Sequence, residues 1–213
     1  MNSRIYITVI IALLFITPLT ARSADPEDME NLTPLIPGTD TPHSTKCDSG
    51  AVYRYKEYTI YTKPTKQEIG ENVYVSRTGK NDGRLCNAAE RKPIYTYDNE
   101  TLGGANFFAG VYQDYLFIDQ GTGPTYRGLS IYDLKSGKLL YFTNYTDPVL
   151  TDGTLTYYET VHPREFYNAK NSCILLGDWI KQGLSTHYQR QTAYNLETGK
   201  KEALDKYRCH PGQ

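Results

Sequence analysis

Residues 129–142 read Leu-Ser-Ile-Tyr-Asp-Leu-Lys-Ser-Gly-Lys-Leu-Leu-Tyr-Phe, and this stretch decides the fold. Apolar side chains on both sides of a short Lys-Ser-Gly sequence are typical of two antiparallel strands joined by a tight turn. Lys135 and Ser136 suit the centre of a type I turn, and Gly137 can adopt the positive φ that follows it. The stretch therefore predicts a β-hairpin with strands at Leu129–Leu134 and Leu139–Asn144.

The same pattern, a tyrosine, three residues and then Ser/Thr-Gly-Lys, occurs at Tyr74–Lys80, Tyr132–Lys138 and Tyr194–Lys200. Its spacing of about 60 residues predicts three hairpin repeats. Upstream of the second and third copies, Leu116–Asp119 aligns with Leu175–Asp178. We therefore expect an all-β fold, an antiparallel meander that forms a sandwich or an open barrel.

The rest of the chain also favours strands, because its 20 tyrosines and many threonines suit half-buried pleated surfaces. A change of alternation between Tyr55 and Tyr58 predicts a β-bulge at Lys56-Glu57. The further predicted strands are Asn72–Ser76, Ile94–Tyr97, Asn106–Tyr112, Tyr115–Asp119, Leu155–Val161, Ser172–Leu176 and Tyr188–Leu196. Two short helices are predicted at Pro163–Asn171 and Lys200–Lys206.

The N-terminal end has the pattern of a secretory signal peptide. Arg4 precedes the apolar run Ile5–Leu19, and the small residues Ala21 and Ser23 follow it. The run is too short to span a bilayer, and cleavage after Ser23 fits the small-x-small rule, with cleavage after Ala21 as the alternative. We expect residues 1–23 to be removed and the chain to be exported to the periplasm or, alternatively, to the extracellular space, without membrane insertion.

Residues 24–46 contain four prolines and few large apolar side chains, which predicts a flexible linker. One β-rich domain is then expected from 47 to 213. Without Arg4 and Arg22 the chain has 21 basic and 24 acidic residues, a net charge of −3. This balance, with no dense basic cluster, argues against nucleic acid or an anionic membrane as the partner.

Four cysteines, Cys47, Cys86, Cys173 and Cys209, indicate two disulfides in an exported chain. Of the three pairings that four cysteines allow, we favour Cys47–Cys86 and Cys173–Cys209, because each pair lies within one repeat. The alternative is a zinc site, but no two cysteines have C-x-x-C spacing. The four histidines have no metal-ligand spacing either, and we predict neither a metal nor a cofactor.

The best candidate site is the glycine-rich loop at 119–128, in which Asp119, Tyr126 and Arg127 could make directional contacts with a ligand. The corresponding loop of the third repeat carries Asp178 and Trp179. If the two loops share one end of the sheet, they form an aromatic, mixed-charge surface for a protein or glycan of the cell envelope. The alternative is that both are ordinary connections, with the two aspartates bonding loop amides.

The main functional hypothesis is therefore an exported binding protein without a recognisable catalytic site. A second hypothesis is a hydrolase or lyase that uses Asp119, His162 or Asp178. No nucleophile-elbow sequence supports it.

Ser49-Gly50-Ala51-Val52-Tyr53 resembles the S-G-x-x-Y motif of the periplasmic lysozyme inhibitor family. Members of that family are small disulfide-bonded β-barrels. The resemblance implies that Ser49 and Tyr53 enter the cleft of a cell-wall hydrolase between its catalytic carboxylates. Inhibition of such an enzyme is the third functional hypothesis.

Overall fold

The computed structural model describes residues 35–66, 69–79, 92–98, 104–121, 127–169 and 171–212. The predicted signal peptide lies outside these residues, as do Cys86 and Tyr126. Within them the chain forms twelve strands and two short helices. The strands are β1 (His43–Cys47), β2 (Gly50–Arg54), β3 (Tyr58–Pro64), β4 (Glu71–Arg77), β5 (Tyr95–Tyr97), β6 (Asn106–Tyr112), β7 (Tyr115–Gln120), β8 (Arg127–Asp133), β9 (Leu139–Thr151), β10 (Thr154–Thr160), β11 (Ser185–Asn195) and β12 (Lys201–Gly212), and the helices are α1 (Pro163–Asn168) and α2 (Leu176–Lys181).

The strands form two antiparallel sheets, which confirms the predicted all-β meander. One sheet has five strands in the order β1-β2-β3-β4-β5, and the other has seven in the order β12-β11-β10-β9-β8-β7-β6. Strands that are consecutive in the sequence lie side by side, as short turns require. Both sheets end in edge strands, so neither closes into a barrel.

A first core fills the space between the two sheets. Buried side chains of the small sheet, among them Ile60 and Val73, pack with Leu116 and Ile118 of the large sheet. Tyrosines contribute much of the area: the Tyr97 ring lies 4.4 Å from the Tyr132 ring, centroid to centroid. Many of the tyrosines, including these two, therefore serve packing.

A second core lies on the other face of the large sheet, because the sheet folds over along β9. Residues of β9 up to Tyr145 pair with β8, and those from Thr146 onward pair with β10. Phe117 of the β6–β8 half packs in one buried cluster with Leu155 and Tyr157 of the other half. The long strand β9 thus belongs to both walls of the second core.

The segment before β1 is part of the fold, which corrects the predicted linker boundary at residue 46. Ile36 is 1% exposed in the second core, and its amide donates to Ala109 O over 3.2 Å. Pro37 O accepts from Leu150 N over 2.9 Å, and Asp40 N donates to Val111 O over 2.7 Å. The segment covers the free edge of β6. Its hydrogen bonds and the buried Ile36 side chain offset the entropy lost on ordering a segment whose proline-rich composition predicted flexibility.

Two predicted elements at the C-terminal end are wrong. The run Ser172–Leu176 is not a strand, and the chain is helical over Leu176–Lys181. A short apolar run alone does not distinguish a strand from a helix. Consequently the alignment of Leu116–Asp119 with Leu175–Asp178 has no structural counterpart. Lys200–Lys206 is not a helix but the start of β12, because the preceding turn brings Lys201 opposite Tyr194.

The predicted β-bulge at Lys56-Glu57 is also wrong. Tyr55 N donates to Tyr58 O over 2.8 Å, and Arg54 pairs with Thr59, so the two residues form the turn between β2 and β3. The change of alternation therefore marked a hairpin, which returns the chain and restarts the pattern on the next strand.

The Cys173–Cys209 disulfide is confirmed, with its Cα atoms 5.7 Å apart. It ties the segment before α2 to β12. Cys47 is also disulfide-bonded, and its predicted partner Cys86 lies outside the described residues. No helix among the residues that the structure describes is long and apolar enough to cross a membrane.

Candidate functional site

The structure brings two predicted site residues, Asp119 and Arg127, into direct contact. Arg127 Nε donates to Asp119 Oδ1 over 2.9 Å, and the guanidinium also pairs with the second carboxylate oxygen. The hydroxyl of Tyr145 donates to Asp119 Oδ1 over 2.8 Å. Burial raises the pKa of Tyr145. Asp119 is fully buried, so this group stabilises the second core and does not present a carboxylate to a ligand.

The described residues of the 119–128 and 178–183 loops have different environments. Asp178 and Trp179 lie on α2, which packs against β11. Asp178 is exposed and lies 3.7 Å from Lys181 on the same helix. Asp119, by contrast, is enclosed in the second core. Tyr126, the remaining residue of the predicted site, is outside the described residues.

The residues of the hydrolase hypothesis have separate structural roles. Asp119 is paired with Arg127, and Asp178 is paired with Lys181. His162 caps the N-terminus of α1, where its Nδ1 accepts from Arg164 N over 3.1 Å. These contacts do not bring the three side chains into one site.

The motif that resembles the lysozyme inhibitors is also structural. Tyr53 is 9% exposed in the first core, with its ring 4.5 Å from that of Phe108. Burial, more than the nearby Glu71, raises its pKa to about 12. Ser49 lies between β1 and β2, 2.9 Å from the Tyr61 hydroxyl. A buried Tyr53 cannot enter the cleft of another enzyme, so the geometry gives this hypothesis no support.

A cavity of about 740 Å³ opens where four turns meet at one end of the second core. We call it the turn cleft. Its lining includes Gln113-Asp114 of the β6–β7 turn and Asp152-Gly153 of the β9–β10 turn. The other two walls are the β8–β9 and β11–β12 turns, which are the second and third copies of the Ser/Thr-Gly-Lys pattern.

Those two copies have the predicted turn geometry. Gly137 and Gly199 have φ of 72° and 66°. Asp133 Oδ1 accepts from Lys135 N over 2.9 Å, and Asn195 Oδ1 accepts from Thr198 N over 2.8 Å. Each turn is thus closed by a short polar side chain at its first position, which fixes the backbone before any ligand arrives.

Tyrosines form the apolar wall of the turn cleft. Tyr112 and Tyr115 pair directly across the β6–β7 turn, which places both side chains on one face of the sheet. The Tyr112 ring lies over Gly153, where an added Cβ would be 3.8 Å from its Cε1 atom. Tyr194, below the β11–β12 turn, stacks on Tyr141 with ring centroids 3.9 Å apart.

Among the described residues of the lining, carboxylates outnumber cations: Asp114, Asp133, Asp152 and Glu197 accompany a single lysine, Lys135. Lys135 Nζ lies 2.6 Å from Asp114 Oδ2. The hydrogen bond from Ser136 lowers the pKa of Asp133. Burial raises the pKa of Tyr115, and the charges of Asp133, Glu197 and Asp114 add to this rise. The cleft is therefore an acidic, aromatic concavity on hydrogen-bonded turns.

Sequence reasoning missed this site because each turn was interpreted alone. The available signal was that acids and tyrosines flank several turns of one meander. Which turns meet depends on the folding of the sheet along β9.

Comparisons with known proteins do not assign the chain to a family. No family model, no curated protein and no solved structure matches it. The function is therefore inferred from the geometry of the turn cleft.

Proposed function

We propose that this chain is an exported, non-enzymatic binding protein that holds its ligand in the turn cleft. The signal-peptide pattern of residues 1–23 and the Cys173–Cys209 disulfide support export, since disulfides persist in oxidising compartments such as the periplasm. The extracellular space is the alternative location.

The observation that carries the proposal is the cleft itself. Its volume of about 740 Å³ falls in the range of roughly 300–1,000 Å³ that is typical of small-ligand sites. Its walls combine aromatic rings with a few polar groups, a composition that gives affinity and orientation respectively. Hydrogen-bonded turns hold those groups, so binding requires little ordering of the protein.

The chemistry of the walls fits a glycan or a short exposed segment of an envelope protein. The faces of Tyr112 and Tyr115 can contact an apolar ring or chain. Around them, carboxylates, Lys135 and the carboxamide of Asn195 offer acceptors and donors for hydroxyl or amide groups.

Ligand capture by the wild-type chain and by two tryptophan variants tests this proposal. Glu197→Trp fills the cleft. We expect the turn to tolerate this change, because the corresponding position of the other copy carries a different long side chain, that of Lys135. Glu202→Trp adds the same side chain to β12, outside the lining. Each protein is immobilised, exposed to an envelope extract, and its bound glycans and peptides are identified by mass spectrometry.

We expect the wild-type chain and Glu202→Trp to retain the same ligand and Glu197→Trp to lose it. Circular dichroism checks that both variants are folded. Equal retention by Glu197→Trp would mean that the ligand binds elsewhere on the chain.

A further inference from the structure

We propose that the ligand of the turn cleft carries a protonated amine, held between the Tyr112–Tyr115 wall and the carboxylates of Asp152 and Glu197. This inference depends on the proposed function and specifies the chemical class of the ligand. It follows from which charges in the cleft are already paired and which are not.

Two of the four carboxylates are engaged by the protein. Asp114 accepts from the Tyr58 hydroxyl over 3.0 Å and pairs with Lys135. Asp133 accepts from Ser136 Oγ over 2.6 Å and from Lys135 N. These contacts stabilise the turns, and Lys135 balances the charge of Asp114, whereas the neutral donors to Asp133 leave its charge in the cleft beside those of Asp152 and Glu197.

The other two carboxylates, Asp152 and Glu197, have no hydrogen bond or ion pair among the residues that the structure describes. Both are exposed and both line the cavity. Their turns are joined, because Leu196 N donates to Gly153 O over 2.9 Å. The two charges are thus held on adjoining rims of one cavity, where they attract a cation together.

The tyrosine wall favours an organic cation. An ammonium group over a tyrosine face is attracted by the ring quadrupole, and its carbon chain gains apolar contact with the same surface. Lys135 is the one cation in the described part of the lining; it is held by Asp114 and so leaves Asp152 and Glu197 to a ligand. Cavity, rings and unpaired carboxylates therefore select for the same chemical group.

A protonated amine could come from a polyamine or from an amino sugar. Titration calorimetry at low salt with spermidine and with chitosan trisaccharide distinguishes the two sources. The N-acetylated trisaccharide is the neutral counterpart of the sugar. We expect at least one of the two amines to bind and the acetylated sugar to bind at least tenfold more weakly than the amino sugar.

The variants change charge while preserving the turns. Asp152 has φ of 47°, and asparagine also tolerates this conformation, so Asp152→Asn removes the charge and keeps the turn. Asp152→Asn and Glu197→Gln should each weaken amine binding about two- to fivefold, as expected for exposed ion pairs. Lys135→Gln should strengthen binding by a similar factor, because it removes a repelling charge. Asp205→Asn, on β12 outside the lining, should have no effect.

Several results would overturn the inference. Unchanged amine binding in the Asp152→Asn/Glu197→Gln double variant would show that these carboxylates do not hold the amine. Equal or tighter binding of the acetylated trisaccharide would show a neutral ligand. If neither amine binds but Glu197→Trp still abolishes capture from the extract, the ligand is also not a protonated amine of this kind. The proposed function would survive these results. If Glu197→Trp captures the ligand from the extract as well as the wild type does, both proposals are wrong.

Discussion

Arg127 donates from Nε to Asp119 Oδ1 over 2.9 Å, which places an ion pair against the apolar second core where β7 ends and β8 begins. Asp119 is fully buried, whereas the Arg127 side chain is 31% exposed. The arginine, together with the Tyr145 hydroxyl, compensates for the loss of water around the carboxylate. Both residues were predicted from the sequence as ligand contacts. In the structure they instead form an ion pair that stabilises the fold.

Replacement of either residue alone should destabilise the protein strongly. Asp119→Ala leaves the guanidinium and the Tyr145 hydroxyl without their acceptor, and Arg127→Ala leaves a buried carboxylate without its cation. Removing one member of a buried pair costs about 3–5 kcal/mol, and the exposure of Arg127 places both variants near the lower end of this range. Urea unfolding followed by circular dichroism measures the effect.

The double variant supplies the control for this prediction. If the residues act on each other, the loss of unfolding free energy in Asp119→Ala/Arg127→Ala is smaller than the sum of the single losses by at least about 1 kcal/mol. An additive double variant would contradict the structural pairing.

The two matching turns should differ in their tolerance of alanine. Both glycines have positive φ, where a side chain costs about 1 kcal/mol. A Cβ at Gly137 would lie 2.6 Å from Tyr95 Cδ1 and displace that ring, whereas at Gly199 the nearest atom is Tyr194 Oη at 3.8 Å. We expect Gly137→Ala to destabilise the protein by about 1–3 kcal/mol more than Gly199→Ala in thermal or urea unfolding. Equal losses would be inconsistent with the Tyr95 contact.

The Cys173–Cys209 disulfide should stabilise the fold through its long loop. The cysteines are 36 residues apart, and closing such a loop contributes about 4 kcal/mol in the chain-entropy model. The double variant Cys173→Ser/Cys209→Ser should lose about this much stability in urea unfolding. Hydrogen exchange should increase most at the C-terminal end of β12 and in α2. A variant with unchanged stability would show that the bridge contributes nothing to folding.

Glu71 makes stability depend on pH. Glu71 Oε1 accepts from Phe108 N over 2.6 Å, and burial raises the pKa of this carboxyl from its ordinary value of 4.5. A raised folded-state pKa means that the protonated carboxyl is the better buried form. Its contribution to stability is present below the unfolded-state pKa and is lost as pH rises through the folded-state pKa.

Glu71→Gln isolates this effect, because glutamine keeps an oxygen acceptor for Phe108 N and does not ionise. We expect the variant to be more stable than the wild type at about pH 8 and equally stable at about pH 3. Urea unfolding across this range measures the difference, and Glu202→Gln on exposed β12 serves as the control. A stability difference between the variant and the wild type that does not change with pH would contradict the raised pKa of Glu71.

Turn chemistry could be predicted from the sequence because it is local. The Lys-Ser-Gly and Glu-Thr-Gly turns need one short polar side chain and one glycine in fixed positions, and both copies have them. The Cys173–Cys209 pairing was predicted because both cysteines lie within one predicted repeat, and the disulfide is present. The first copy of the pattern, by contrast, ends β4 at Arg77, and its last residue, Lys80, lies outside the described residues.

The site could not be predicted because it depends on contacts between residues distant in sequence. Where the large sheet folds along β9, Phe117 packs with Leu155 and Tyr157. No local sequence pattern near these residues predicts that contact. The apolar run at Ile174–Leu176 misled for another reason. Ile174 is 92% exposed, so its apolar character did not indicate a buried strand.

Site-specific photocrosslinking tests the central claim most directly. Benzoylphenylalanine is placed at residue 140, an exposed apolar position in the lining of the turn cleft, and, in a second protein, at residue 179 on α2, and each protein is irradiated in an envelope extract. The proposed function predicts a ligand adduct, detected by intact mass, from residue 140 and none from residue 179. An adduct from residue 179 alone would contradict binding in the turn cleft and would place the binding surface at Trp179 on α2.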